Sequence, residues 1–243
     1  MTPLLITIGL SHYCEKARWA LQRAHIAFRE STHAPIMHLF RTVPRGRRGT
    51  PLLMADGHII ADSTDILHWV DKRTPPEQRL FPDDPDALAE VVEWEHRFDD
   101  DLGPHVRRVA YFHLLPNKAL ALPQLTKGAS RSEALAVRLG YPLVRRVIAR
   151  SLKVTPEGAA RSLPKVRAVL ADVDAALADG RRYLVGGRFS AADLTFASLL
   201  APAVQPKNPD LVYLPPALAA FAREVRATAA GRFALRLLQE ERG

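Results

Sequence analysis

A proline-rich stretch, Arg73-Thr74-Pro75-Pro76-Glu77-Gln78-Arg79-Leu80-Phe81-Pro82-Asp83-Asp84-Pro85, divides the 243-residue chain into two parts of different texture. Prolines at this density interrupt helices and strands alike, so the stretch ends one domain. Every strand-like run lies before it. From Asp86 on, apolar residues recur only at helical spacing. The expected architecture is α/β plus all-α. The expected domains are residues 1–78, a linker at 79–85, and an all-helical domain over 86–243.

The first part opens on Leu4-Leu5-Ile6-Thr7-Ile8, an apolar and partly β-branched run that reads as a buried strand. Gly9-Leu10 turns the chain into a helix starting at Ser11, whose hydroxyl suits an N-cap. Tyr13, Ala17, Ala20, Leu21 and Ala24 recur with helical period and mark its core face. The strand thus delivers a hydroxyl, Ser11, and a thiol, Cys14, to the positive end of a helix, where an anion or thiolate is stabilised. Ala27-Phe28-Arg29-Glu30 is the expected second strand, and Pro35 to Phe40 a short irregular helix. A loop follows over Val43–Thr50. Pro51–Ala55 and His58–Ala61 flank Asp56-Gly57, a two-residue hairpin signal. Asp62 or Ser63 then caps a helix carrying Ile66, Leu67 and Val70.

Residues Ser11, Tyr13, Cys14, Lys16 and Arg18 resemble the first β-α unit of glutathione S-transferases, whose N-terminal domain is thioredoxin-like. The element order βαβαββα matches that domain. So do Thr50-Pro51, at the position where the fold carries a cis-proline, and the acid-serine pair Asp62-Ser63. The resemblance implies a thioredoxin-like domain followed by an all-helical one. It implies glutathione as co-substrate, a small hydrophobic electrophile, a homodimer and a cytoplasmic location, with no metal. Ser11 would be the activating hydroxyl of a serine-type enzyme, with Cys14 as the less favoured alternative. Thr50 and Pro51 would meet the cysteinyl part of glutathione, Asp62 and Ser63 its γ-glutamyl end, and Arg47 or Arg48 its glycyl carboxylate. Tyr13, His105, Arg108, Tyr111 and Phe112 would line the electrophile pocket.

In the second part, Leu88, Val91, Val92, Trp94 and Phe98 form the stripe of a long helix that Gly103-Pro104 bends or interrupts. Pro116 and Pro123 bound an irregular stretch. Leu135 to Leu152 reads as a basic amphipathic helix kinked at Pro142. Thr155-Pro156 opens another, which Pro164 is expected to kink or split. Ser190 and Asp193 have capping-box spacing, flanked by Phe189 and Leu194. This arrangement also resembles the buried helix of the transferase C-terminal domain, and its role is structural. Two closing helices are expected over 216–230 and 232–241.

Charge is unevenly placed. Residues 83–101 hold nine acids against one base; residues 102–156 hold ten bases against one acid, Glu133. The net charge of +8 comes without a nucleic-acid motif, so specific nucleic-acid binding is not expected. No apolar run reaches membrane-spanning length, and the N-terminus does not read as a signal peptide. The single cysteine fits a reducing compartment. Besides a transferase, the residues admit a non-catalytic glutathione- or ligand-binding protein of the same fold, or a thiol-disulfide enzyme acting through Cys14.

Overall fold

The computed structural model describes residues 2–242. Its elements begin β1 (Leu4–Ile8), α1 (His12–Arg23), β2 (Arg29–His33), α2 (Leu39–Thr42), β3 (Leu52–Ala55), β4 (His58–Ile60) and α3 (Ser63–Asp71). Helices follow: α4 (Pro85–Arg97), α5 (Gly103–Leu114), α6 (Lys118–Leu125), α7 (Arg131–Leu139), α8 (Tyr141–Ser151), α9 (Pro156–Ala176), α10 (Ala191–Val204), α11 (Pro216–Ala227) and α12 (Ala229–Glu240). Among the described residues no strand follows β4, as the two textures of the sequence require. The chain forms two compact units. The first runs through Gln78 and takes in Leu115–Arg150; the second holds Arg79–Leu114 and the chain from Ser151 on.

In the first unit the strands lie in the order β2-β1-β3-β4. β1 is central and runs parallel to β2, from Leu4 beside Arg29 to Ile8 beside His33. β3 is antiparallel to β1, with Leu5 opposite Leu53, and β4 closes the edge. Helices α1 and α3 pack together, and Leu5, Ile6, Trp19, Leu21, Leu53, Ile66 and Leu67 are almost wholly buried. Asp56 (φ 52°) and Gly57 (φ 78°) are both left-handed, which a two-residue hairpin turn requires. The Thr50-Pro51 bond is cis.

Before Gln78, two elements differ from expectation. The second strand is Arg29–His33 rather than 27–30. Its residues look too polar for a strand, yet they are held from their side chains. Glu30 accepts from the Thr7 hydroxyl at 2.6 Å and pairs with Arg18 at 2.7 Å, while the Thr7 oxygen lies 3.1 Å from the Thr32 hydroxyl, from which it can accept. The short helix begins at Leu39 rather than Pro35, because Ile36 is left-handed (φ 74°) and breaks any earlier start.

Residues 115–150 complete this unit. The Glu133 carboxylate meets His33 Nδ1 at 2.7 Å and accepts from the Ala34 N–H at 2.9 Å. Two glycines permit the approach. A Cβ on Gly9 would lie 2.1 Å from the Lys127 carbonyl oxygen, and one on Gly128 would lie 2.9 Å from the Thr32 methyl. Between Pro116 and Pro123 the chain is helical, capped by Asn117, whose side chain accepts from the Leu120 N–H. The expected single helix over 135–152 is two, α7 and α8, divided at Gly140. The Ser130 hydroxyl caps α7, and Pro142 sits in the first turn of α8, where its missing N–H costs nothing.

The second unit surrounds α10, which is buried on nearly every side. Burying Leu194, Phe196, Leu199 and Leu200 contributes roughly 1.5–3 kcal/mol each. Trp94, Phe98, Phe196 and Phe233 form a chain of ring contacts from α4 through α10 to α12. Gly103-Pro104 does not interrupt the α4–α5 path. Proline lacks the N–H for a regular helical bond, and a π-helical turn over Phe98–Leu102 takes up the register, with the Gly103 N–H donating to the Phe98 carbonyl. Pro164 likewise leaves α9 unsplit from Pro156 to Ala176.

Asp193 fastens the start of α10. It accepts from the Leu184 N–H, the Ser190 N–H and the Ser190 hydroxyl, each at 2.9 Å. Asp193→Ala leaves two buried N–H groups unpaired, at about 1–3 kcal/mol each, so urea unfolding should show a loss of roughly 2–6 kcal/mol. Burial pushes the Asp193 carboxyl up to about 6, against the hydrogen bonds that favour the carboxylate. Its folded pKa exceeds the unfolded value, near 3.9, so its stabilising contribution is full below about pH 4 and is lost as pH rises through 6. Asp193→Asn should remove that slope from a stability–pH series; an unchanged slope would assign it elsewhere.

Candidate functional site

The β1–α1 turn is held by three short-range bonds. The Ser11 N–H donates to the Ile8 carbonyl at 3.0 Å. The Cys14 N–H donates to the Ser11 hydroxyl at 3.3 Å, making Ser11 the N-cap of α1. The Ile8 N–H in turn donates to Cys14 Sγ at 3.5 Å. The sequence places Ser11 and Cys14 one turn apart, and the fold adds Thr50 to them. Its side chain comes near the Cys14 sulfur and, like that of Ser11, acts to lower the pKa of the thiol. Ser11, Cys14 and Thr50 therefore meet at one sulfur.

Their environments differ. Cys14 is fully buried, and burial pushes its thiol up, although Ser11, Ile8 and Thr50 act to lower it. A thiol so placed is a poor nucleophile at neutral pH. Ser11 is only partly buried. Its oxygen accepts the capping N–H, and its single O–H can turn from the Cys14 sulfur to another acceptor. The helix dipole adds positive potential at the same place.

A second helix N-terminus lies in this unit. Asp62 caps α3, accepting from the Thr64 N–H at 2.8 Å, and Ser63 is the buried first residue of the helix. Lys16, wholly buried in α1, donates from Nζ to the Thr64 hydroxyl at 3.1 Å. An ammonium beneath the first turn of α3 adds to the field that a helix start offers an anion. The sequence singles out Lys16 only within a motif. Its place among the buried positions of an otherwise apolar face was the available signal.

The loop before Pro51 sorts its arginines. Arg45 turns inward, donating to the Arg41 carbonyl at 2.6 Å and to Met54 Sδ at 3.1 Å. Arg47 and Arg48 are exposed. His38 steadies the loop by donating from Nε2 to the Arg48 carbonyl at 3.2 Å, and burial lowers its pKa, favouring the neutral ring. Arg47, Arg48 and Asp62 line a surface cleft of about 510 Å³ with Ile59, His68 and Trp69. Ser11, Thr50 and Ser63 are not on its lining.

Of the residues expected at an electrophile pocket, Tyr13 is partly buried beside the His12 ring, 4.7 Å between centroids. The other four stand on α5 in the second unit. Two of these hold helices together. Arg108 donates to the Ser162 hydroxyl at 2.8 Å, to His105 Nδ1 at 3.0 Å and to the Leu152 carbonyl at 3.0 Å. His105 is pushed down by burial and by the nearby Lys165 and Arg108 charges, which suits a neutral acceptor. Tyr111 and Phe112 are half-buried.

This arrangement, a capped β-α turn with a cis-proline opposite it, coincides with two sequence matches. Residues 5–78 match the glutathione S-transferase N-terminal domain, and residues 156–228 match the glutathione S-transferase C-terminal domain. The chain belongs to the glutathione S-transferase family. No curated protein matches the sequence. Several solved structures share its fold. A possible glutathione S-transferase from Rhodopseudomonas palustris is 22% identical, with a TM-score of 0.57 over 95% of this chain and 96% of that one. A glutathione S-transferase from Methylobacterium radiotolerans, in complex with glutathione sulfonate, is 20% identical, with a TM-score of 0.56 over 97% and 95%. The beta-etherase LigF from Sphingobium sp. strain SYK-6 is 21% identical, with a TM-score of 0.61 over 97% and 99%.

For this family member the burial of Cys14 sets a direct expectation. In the native protein its alkylation by iodoacetamide at neutral pH should be slower than in urea by roughly tenfold or more, read by intact mass. Equal rates would show an accessible thiol.

Proposed function

We propose that the protein is a glutathione transferase of the serine type. Glutathione binds in the first unit. Its cysteinyl part lies against the Thr50 backbone beside Pro51, and its γ-glutamyl end meets Asp62 and Ser63 at the start of α3. Its glycyl carboxylate is met by Arg47 or Arg48, whose planar forks suit it. The observation that carries this reading is the contrast at the β1–α1 turn: a partly exposed hydroxyl at a helix N-terminus above a buried, inert thiol.

The chemistry follows from that contrast. Ser11 donates its O–H to the glutathione sulfur, and α1 adds the potential of its N-terminus. Both favour the thiolate, so the thiol gives up its proton to solvent near neutral pH. The Cys14 N–H polarises the Ser11 oxygen from behind, which strengthens its donation. The thiolate pair then forms a bond to an electrophilic carbon, and the leaving group departs with the pair it shared with that carbon. Exchange at a disulfide sulfur runs through the same thiolate. The electrophile is small and apolar. The reading also entails a cytoplasmic homodimer, which light scattering at micromolar concentration checks.

Ser11→Ala should lower kcat/KM for glutathione conjugation by roughly 10- to 100-fold, the range of a hydrogen bond to a charged group worth about 1.5–3 kcal/mol. Its pH–rate profile should move to alkaline values. Cys14→Ala should have the smaller effect. The reverse order, with a mixed disulfide between Cys14 and glutathione seen by mass spectrometry, would make the enzyme cysteine-type. Binding without turnover across a panel of electrophiles would make it a glutathione-binding module instead.

Ser63→Ala tests the binding site separately. It removes a donor to the γ-glutamyl carboxylate, so calorimetry should show affinity for glutathione falling by roughly 10- to 100-fold. Unchanged affinity would refute the assignment at α3.

A further inference from the structure

The thiol site makes no use of the outer face of α7 and α8. Their inner face is ordinary core: Val137, Tyr141, Val144 and Ile148 are buried. The outer face carries a second apolar ridge at Leu135, Leu139, Leu143 and Val147, with relative exposures of 57%, 75%, 65% and 39%. These are four of the largest exposed aliphatic side chains in the protein, and they follow one another at four-residue steps. Contiguous exposed apolar surface of this kind marks an interaction site.

Arginines border the ridge. At 3.6 residues per turn, Arg131 and Arg138 lie within about 60° of Leu135, and Arg146 and Arg150 within about 60° of Leu143. All four are exposed, and among the described residues none is paired with a carboxylate. The single acid of the two helices, Glu133, is turned inward onto His33 and the Ala34 N–H. The outward surface is thus aliphatic and cationic, with no acid on it.

We infer that this face docks on the surface of an anionic phospholipid bilayer. Helices with an apolar ridge flanked by basic side chains lie in the plane of a membrane interface. The leucines enter the acyl boundary, and the arginine stems run along it while their guanidinium groups reach lipid phosphates. Charge decides against a second copy of the same face, since a two-fold contact sets its arginines against one another. Composition decides against a protein partner, because the ridge holds no aromatic side chain, the type in which protein interfaces are enriched. The inference is independent of catalysis and holds whether or not the thiol site turns over.

The test is co-sedimentation of the full chain with vesicles of phosphatidylcholine alone, or with about 30% phosphatidylglycerol. Binding is expected to the anionic vesicles only and should weaken with added salt. Arg146→Gln/Arg150→Gln should lower partitioning by about 25-fold, at about fivefold per base. Leu139→Ser/Leu143→Ser should lower it by at least tenfold, on the order of the transfer of two exposed side chains. Both pairs are at exposed positions, so glutathione binding and melting temperature should stay at the parent values. Equal binding to both vesicle types, or binding that survives both double variants, would overturn the inference. So would concentration-dependent self-association that Leu139→Ser/Leu143→Ser abolishes while vesicles capture nothing, which would give the face to a second copy.

Discussion

A strand running into a helix must turn within two or three residues and still pair every N–H it buries. Here the turn is closed on a sulfur. The Ile8 N–H finds no strand partner at the end of β1 and uses Cys14 Sγ, while the Cys14 N–H uses Ser11. Each group satisfies the next, and the helix starts at a fixed distance from the strand. Burial makes the thiol unreactive and thereby suits it to this structural use. The hydroxyl one turn earlier is left partly open to solvent, with the helix dipole behind it. The division of labour between the two residues follows from depth alone.

The same rule, that a buried polar group must be satisfied, fixes the other junctions. Glu30 ties β2 to Arg18 of α1 and to Thr7 of β1. Lys16 ties α1 to Thr64 of α3. In the second unit Asp193 ties the start of α10 to Leu184, and Arg108 ties α5 to Ser162 of α9. Such bonds add little net stability, because each replaces bonds to water. Their weight lies in what they forbid: a shifted helix would strand a charge or a donor in a dry place.

Much of the fold is legible in the sequence because it is decided locally. Asp56-Gly57, the Ser11, Thr155 and Ser190 caps and the proline heading β3 act over a few residues, and pattern reading reaches that far. The bounds of β2 are not legible in this way. Its five residues are polar, and their strand geometry comes from partners on β1 and α1. Of the bend or break expected at Pro104 and the kink or split at Pro164, the break and the split do not occur, for a related reason: helices held on several sides by packing absorb a missing N–H. At the site, the sequence names Ser11, Cys14 and Thr50 separately, yet nothing in it places Thr50 on the Cys14 sulfur. His105 and Arg108 look available for a ligand until Ser162, more than fifty residues on, is seen to engage them. The return of residues 115–150 to the first unit left one trace, a lone glutamate in a run of bases. That acid is the one that docks.

The bond from the Ala34 N–H to Glu133 spans ninety-nine residues. It gives the nascent chain a particular problem of timing. All four strands have left the ribosome early, but the carboxylate that closes the end of β2 has not yet been made. At synthesis rates of about 5–20 residues per second, roughly 4–15 s separate the two. During that interval β2 is an outer strand without its cover, the kind of edge to which other chains add. A fragment ending at Gln78 would remain in that state permanently. The first unit is therefore not a module that can be lifted out by cutting at the proline-rich stretch, although the strands alone suggest that it is.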